Sequence, residues 1–134
     1  MLFRSVRLIV LASTPEVARR ALTSAWFQRM QHVEVRPLAF RRGEISTLLD
    51  RRFQDSDSPR RTADMTPANQ EALKAHDWPR NFAELREVAD AIIAHDLCGG
   101  LRPAAESLGM SSHKTLARRF ERVGLELPLF SAED

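Results

Sequence analysis

Residues Gly99 to Leu125, with the sequence GGLRPAAESLGMSSHKTLARRFERVGL, carry the clearest structural pattern in this chain. The small pair Ala104 and Ala105 favours close contact between a first helix and its neighbours. Gly109 supplies the backbone freedom with which helices commonly end. After this turn, apolar residues recur at helical spacing: Leu116, Phe120 and Val123. The stretch therefore predicts two short helices joined by a tight turn.

Cations occupy another side of the second predicted helix: Lys114, Arg118 and Arg122, with Arg119 beside them. This layout is typical of a helix-turn-helix, whose second helix enters the major groove of DNA while its cations meet phosphates. We expect the first residues of that helix to lie near base edges: Ser111, Ser112, His113, Lys114 and Thr115. We expect phosphate contacts from Arg118, Arg119 and Arg122. A helical hairpin with a solvated basic face is the alternative interpretation.

The distribution of charge agrees with a nucleic-acid contact. The net charge of the 134-residue chain is only +2, and counting from Met1 to Arg61 gives 12 basic and 6 acidic residues. The remainder has 8 basic and 12 acidic residues, yet the short segment from Lys114 to Arg122 holds four cations and one acid. Positive charge is therefore concentrated on one predicted helix of an otherwise acidic half.

The first forty residues predict a β-α-β unit. Val6 to Leu11 is a continuous apolar run typical of a strand buried on both faces, and Val33 and Val35 alternate with polar residues as in a second short strand. Thr14 and Pro15 between them predict a helix start.

The middle of the chain predicts helices. Gly43 to Phe53 is amphipathic, Thr66-Pro67 opens a helix that ends near His76, and Asn81 with Glu84 has the spacing of a capping box. The helix that follows has a wide apolar stripe, which predicts a central position among the helices of the second half.

The motif GG-x-x-x-AA-x-x-LGM followed by TL-x-RR-x-x-x-x-GL resembles the Fis-type helix-turn-helix that ends bacterial enhancer-binding proteins. The segments VRLIVLASTPEV, WFQRM, VEVRPL and FRRGEI resemble the second half of the AAA+ ATPase domain of sigma-54-dependent activators. WPRNFAEL is similar to that family's WPGNVREL, where the last lid helix begins.

The resemblance implies a mostly α-helical chain in three parts. Residues 1–40 would be a partial AAA+ core, residues 41–96 a helical lid-like region, and residues 97–134 the Fis-type DNA-binding region, with helix 82–96 shared between the last two. Ser13 stands where the family has the asparagine that senses the γ-phosphate, and Ala83 replaces an arginine that contacts nucleotide phosphate. Both positions therefore indicate degenerate nucleotide sensing.

Two features that this family needs for ATP hydrolysis, and one with which it grips its sigma factor, are missing. The chain has no phosphate-binding loop G-x-x-x-x-G-K-[ST], no strand that ends in paired acids for magnesium, and no GAFTGA loop for the sigma factor. We therefore expect no enzymatic activity and no cofactor, with ATP and magnesium entering only if missing upstream motifs completed the site.

The partner predicted from the residues is double-stranded DNA. The resemblance further implies a homodimer, and RNA polymerase with sigma-54 in a full-length context. No apolar run approaches membrane-spanning length, so we expect no membrane partner and a cytoplasmic location. We also expect no bound metal.

Three other interpretations stay open at this stage. The chain could be a fragment of a full ATP-dependent activator, or an interaction module that docks on an AAA+ partner. The pairs His76-Asp77 and His95-Asp96 give a weaker third alternative, a metal-dependent hydrolase.

Overall fold

The computed structural model of the chain describes residues 7–132, and its regular secondary structure there is helical. One isolated antiparallel bridge, between Met65 and Phe130, is the exception within that range. The chain divides into two compact units, one reaching to Val35 and the other beginning at Arg36. The predicted mostly α-helical fold class is confirmed. Within the described range, no helix combines the length and the apolar character needed to cross a membrane.

The first unit contains two short helices, α1 (Pro15–Ala21) and α2 (Ser24–Arg29). The predicted start of α1 is confirmed, because the Thr14 hydroxyl accepts a hydrogen bond from the N–H of Val17 at 3.3 Å and Pro15 is the first helical residue. Neither helix has a buried residue. The described part of this unit therefore lacks the tightly packed interior that stabilises an ordinary domain.

The prediction of two strands in this unit is wrong for the described residues. Residues 7–11 and 33–35 have no ladder hydrogen bonds, and apolar side chains there are open to solvent: Ile9 is 83% exposed, Leu11 92% and Val33 78%. A strand needs neighbouring strands for its backbone groups and a cover for its apolar faces. The described part of the unit provides neither, so the local preference for strand is not realised. Val6 lies outside the described residues.

The second unit contains five α-helices and three short 3₁₀ helices within the described range. The α-helices are α3 (Ile45–Asp55), α4 (Pro67–Ala75), α5 (Asn81–Cys98), α6 (Leu101–Ser107) and α7 (His113–Val123). The 3₁₀ helices are Leu38–Phe40, Arg42–Glu44 and Thr62–Asp64. The predicted helices after Gly43 and after Thr66 are thus confirmed.

Helix α5 lies at the centre of this unit, in contact with α3, α6 and α7. Its buried apolar side chains are Leu85, Val88, Ala89, Ala91, Ile92, Ile93 and Ala94. Trp78, which precedes α5 and is 1% exposed, donates its indole N–H to the carbonyl of Leu73 at 3.1 Å.

The start of α5 differs from the predicted capping box. Asn81 is the first helical residue, and its side-chain oxygen accepts the backbone N–H of Leu38 at 3.0 Å instead of capping α5. Glu84 does reach back, but to the N–H of Arg80 at 3.2 Å, and its other oxygen lies 2.8 Å from Nε2 of His76. A long-range contact of Asn81 has replaced the local cap.

After α7 the chain returns to α4. Leu125 and Leu129 are buried, and the Asn69 side chain, which is fully buried, forms hydrogen bonds with the backbone of Glu126, Pro128 and Leu129. Further backbone bonds join Thr66 to Leu129 and Ser131 to Asp64. The C-terminal segment therefore fixes the end of α7 against α4.

Candidate nucleic-acid interface

The orientation of α7 follows from its buried face. Leu116, Phe120 and Val123 are buried at 0%, 3% and 5% exposure, as their spacing predicts. The helix ends at Gly124, whose φ of +86° suits glycine, and the N–H of Leu125 bonds back to the carbonyl of Phe120 at 2.9 Å. These contacts fix one side of α7 on the protein and leave the opposite side to solvent.

A short turn connects α6 to α7. Gly109 has a φ of +69°, and the N–H of Met110 bonds to the carbonyl of Ala105 at 2.9 Å, which closes the end of α6. Ala104 and Ala105 are buried, and α6 packs against both α5 and α7. The small side chains and the left-handed glycine predicted from the sequence are thus found where the packing requires them.

Lys114, Arg118 and Arg122 form an exposed row on α7, hereafter the basic row. Because they are four residues apart, they lie on successive turns along one side of the helix. This side is opposite the buried Leu116 and Phe120. Within residues 7–132 no acidic side chain forms an ion pair with any of the three. Their charges are therefore available to an anion from outside the protein.

The residues predicted near base edges lie at the start of α7. Ser111, Lys114 and Thr115 are exposed, whereas Ser112 and His113 are half-buried. Ser112 caps the helix, because its hydroxyl accepts the N–H of Lys114 at 3.1 Å. The hydroxyl of Ser112 is thus engaged by its own helix, while the exposed side chains of this segment face solvent.

Arg119 is positioned differently from the basic row. Its side chain is 27% exposed, and its Nη2 lies 3.9 Å from Oε2 of Glu87 on α5. The same carboxylate receives two hydrogen bonds from Arg80, at 2.6 and 3.1 Å. The hydrogen bond from Arg80 is the main cause of the lowered pKa of Glu87, with further contributions from the charges of Arg119 and Arg122. The structure thus separates Arg119 from the other predicted phosphate ligands.

The two positions that the resemblance associates with nucleotide sensing fall in different units. Ser13 is exposed just before α1, and Ala83 is exposed in the first turn of α5. An alanine has no polar side-chain group, so that position offers a phosphate no side-chain charge or donor.

The two His-Asp pairs have other partners. His76 bonds to Glu84, Asp77 pairs with Arg42 at 2.7 Å, and Asp96 pairs with Arg60 at 3.2 Å. Among the described residues, no group of three or more His, Cys, Asp and Glu side chains is arranged to hold a metal ion. The structure therefore accounts for three members of these pairs as contacts within the fold.

Glu87 is the residue of this region that sequence reasoning missed. It is distant in sequence from the basic row, and its meeting with Arg119 depends on how α5 and α7 pack. Its spacing from Arg80 gives no distinctive motif. No signal in the sequence could have identified it.

Comparison of the chain with protein-family models, with curated proteins and with solved structures found no match.

Proposed function

We propose that this chain binds double-stranded DNA through the exposed side of α7 and acts as a bacterial transcription regulator in the cytoplasm. Helices α6 and α7 would form a helix-turn-helix, with α7 as the recognition helix. We expect no enzymatic activity, because the sequence lacks the phosphate-binding loop G-x-x-x-x-G-K-[ST] of AAA+ ATPases.

The observation that carries the proposal is the basic row, whose three side chains form no ion pair with an acidic side chain among residues 7–132. Lys114 and Arg122 are separated by eight residues, so their backbones lie about 12 Å apart along the helix axis. That distance is close to the width of the major groove, roughly 12 Å. A row of this length fits within the groove, so Lys114 can lie at the base edges while Arg118 and Arg122 reach phosphates.

The exposed residues at the start of α7 suit contacts with base edges. A recognition helix typically presents its N-terminal residues to the bases. Ser111, Lys114 and Thr115 can donate or accept hydrogen bonds there, and His113 is partly accessible. Since the Ser112 hydroxyl already caps the helix, we assign it a supporting role rather than a base contact.

The experiment that tests this proposal compares salt dependence among variants. Arg118→Ala and Arg122→Ala should each weaken binding to all duplex sequences alike and reduce the slope of log affinity against log salt by about one. Fluorescence anisotropy with a labelled random duplex measures both quantities. Arg51→Ala is the matched control, because Arg51 is an exposed arginine on α3 and its loss changes the net charge equally. If the three variants gave equal slopes, the assignment of α7 to the groove would be wrong.

The resemblance to Fis-type regions extends the proposal to a homodimer that binds palindromic sites, and to contact with sigma-54 RNA polymerase in a longer protein. Two-fold symmetry in the protein would be mirrored in the DNA site. Sedimentation velocity of the chain, with and without duplex, tests the dimer directly.

The first unit supports a second candidate function, a protein-interaction module that docks on an AAA+ partner. Exposed apolar side chains in the described part of that unit are Leu8, Ile9, Val10, Leu11, Val17, Trp26, Val33 and Val35. A concentration of such residues is typical of a protein-binding surface. Duplex binding that depends on α7 favours the first candidate, whereas its absence favours the second.

A further inference from the structure

Glu87 sits between two arginines that come from different parts of the chain. On one side, Arg80 contacts both carboxylate oxygens, with Nη2 at 2.6 Å from Oε2 and Nη1 at 3.1 Å from Oε1. On the other side, Nη2 of Arg119 lies 3.9 Å from Oε2. The Glu87 side chain is 39% exposed. The solvent-accessible carboxylate of Glu87 thus lies beside α7 and engages Arg119, one of the four cations of that helix.

The charge of Glu87 also reaches the basic row. The positive charges of Arg119 and Arg122 both contribute to the lowered pKa of its carboxyl group, after the larger contribution of Arg80. Glu87 is therefore ionised at neutral pH, and its negative charge acts on two arginines of α7 at once.

A phosphate that approaches this side of α7 meets two obstacles. It must compete with the Glu87 carboxylate for Arg119, and it is repelled by the carboxylate itself. Phosphate contacts contribute sequence-independent affinity, whereas base contacts contribute specificity. A carboxylate that removes one phosphate contact therefore lowers the affinity for every duplex alike and leaves the groups that face the bases unchanged.

We propose that Glu87 withholds Arg119 from the DNA backbone and so lowers the sequence-independent part of the affinity for duplex DNA. This inference rests on the proposed function, since it assumes that α7 binds duplex DNA. In it Glu87 acts through Arg119 and touches no nucleotide, so it is a positioning residue.

The test is the Glu87→Gln variant, which keeps the size of the side chain and removes its charge. With Arg119 released to a phosphate, the salt slope on a random duplex should become steeper by about one. The ratio of the affinity of Glu87→Gln to that of the wild-type chain should then fall about three- to fourfold between 50 and 200 mM salt. Fluorescence anisotropy measures both, and circular dichroism confirms that the variant is folded.

Asp90→Asn is the matched control. Asp90 lies on the same helix, is 34% exposed and also pairs with an arginine, but its partner is Arg52 of α3, at 2.8 Å. The substitution changes the net charge by the same amount, so a general electrostatic effect would appear in both variants. We expect the slope of Asp90→Asn to equal that of the wild-type chain.

The double variant Glu87→Gln, Arg119→Ala identifies the cation responsible. If Arg119 makes the new contact, the double variant returns to the wild-type slope. If the double variant keeps the full increase in salt slope shown by Glu87→Gln, the role given to Arg119 is overturned. A wild-type chain that binds DNA while Glu87→Gln leaves its slope unchanged overturns this inference and leaves the proposed function standing. Absence of DNA binding by the folded wild-type chain overturns both.

Discussion

Substitution of Asn69 by alanine should detach the C-terminal segment from α4. The Asn69 side chain is fully buried, and its oxygen accepts the N–H of Glu126 at 2.8 Å. Its amide nitrogen is 2.9 Å from the carbonyl of Glu126, 3.2 Å from that of Leu129 and 3.3 Å from that of Pro128. One side chain therefore joins the helix that begins at Pro67 to the chain that follows α7.

The size of the effect follows from these bonds. An amide group has two N–H donors, so three strong bonds at most are lost: one accepted and two donated. A hydrogen bond contributes about 1 kcal/mol net, and a buried group left unpaired costs about 1–3 kcal/mol. Since water can reach part of the released segment, we expect Asn69→Ala to lower the free energy of unfolding by roughly 2–4 kcal/mol. That is a large part of the 5–15 kcal/mol typical of a domain.

Urea unfolding followed by tryptophan fluorescence measures this loss. Trp78, 1% exposed, reports on the second unit, and a Trp26→Phe background removes the signal of the exposed tryptophan in the first unit. Asn69→Asp should be less stable than Asn69→Ala, because it retains the acceptor for Glu126 but places a buried carboxylate against carbonyl oxygens.

Glu71→Ala is the control on the same helix. Its carboxylate is 78% exposed and lies 3.5 Å from Lys74, a surface pair of little energetic value. We expect a change within about 0.5 kcal/mol. If Asn69→Ala were as stable as this control, the assignment of the asparagine as the anchor of the C-terminal segment would be refuted.

Two further predictions concern a histidine and a turn. Burial lowers the pKa of His95, partly opposed by the Asp96 carboxylate, so the unfolded chain binds a proton more readily than the folded one. His95 therefore destabilises the fold increasingly as pH falls through its ordinary pKa of about 6.5 towards its lowered value. Between pH 7.5 and 5.5, the free energy of unfolding measured with urea should fall less for His95→Gln than for the wild-type chain. Gly109→Ala should cost about 1–2 kcal/mol, because its φ is +69° although no atom would obstruct the new methyl group. Gly43, equally unobstructed and without a positive φ, is the control whose alanine variant should unfold at the same urea concentration or a higher one; equal losses at both glycines would contradict the backbone argument.

The parts of the fold that depend on neighbouring residues were predictable from the sequence. The cap of α1 at Thr14, the buried side of α7 and the glycine between α6 and α7 all follow from local spacing and side-chain chemistry. These features can be predicted without knowing which distant segment packs against them. The exposed basic row was predictable for the same reason, since it lies opposite the apolar stripe of one helix.

The parts that depend on distant segments were not predictable. The residues from Arg7 to Leu11 have strand preference, but strand formation requires partner strands that the described part of their unit lacks. Asn81 has the chemistry of a cap, but it bonds to Leu38, far away in sequence. Arg119 resembles its neighbours on α7, but the packing of α5 brings Glu87 to it. In each case the outcome is decided by tertiary contacts that no local pattern encodes.

The salt dependence of duplex binding by the wild-type chain shows whether α7 binds DNA through its cations. Fluorescence anisotropy with a labelled random duplex, titrated with salt, should show affinity that falls linearly in a log–log plot, with a slope of about −0.9 for each phosphate contacted. Arg118 and Arg122 of α7 should set most of that slope. If the chain is folded by circular dichroism and yet fails to bind duplex DNA at low salt, α7 is not a DNA-binding helix.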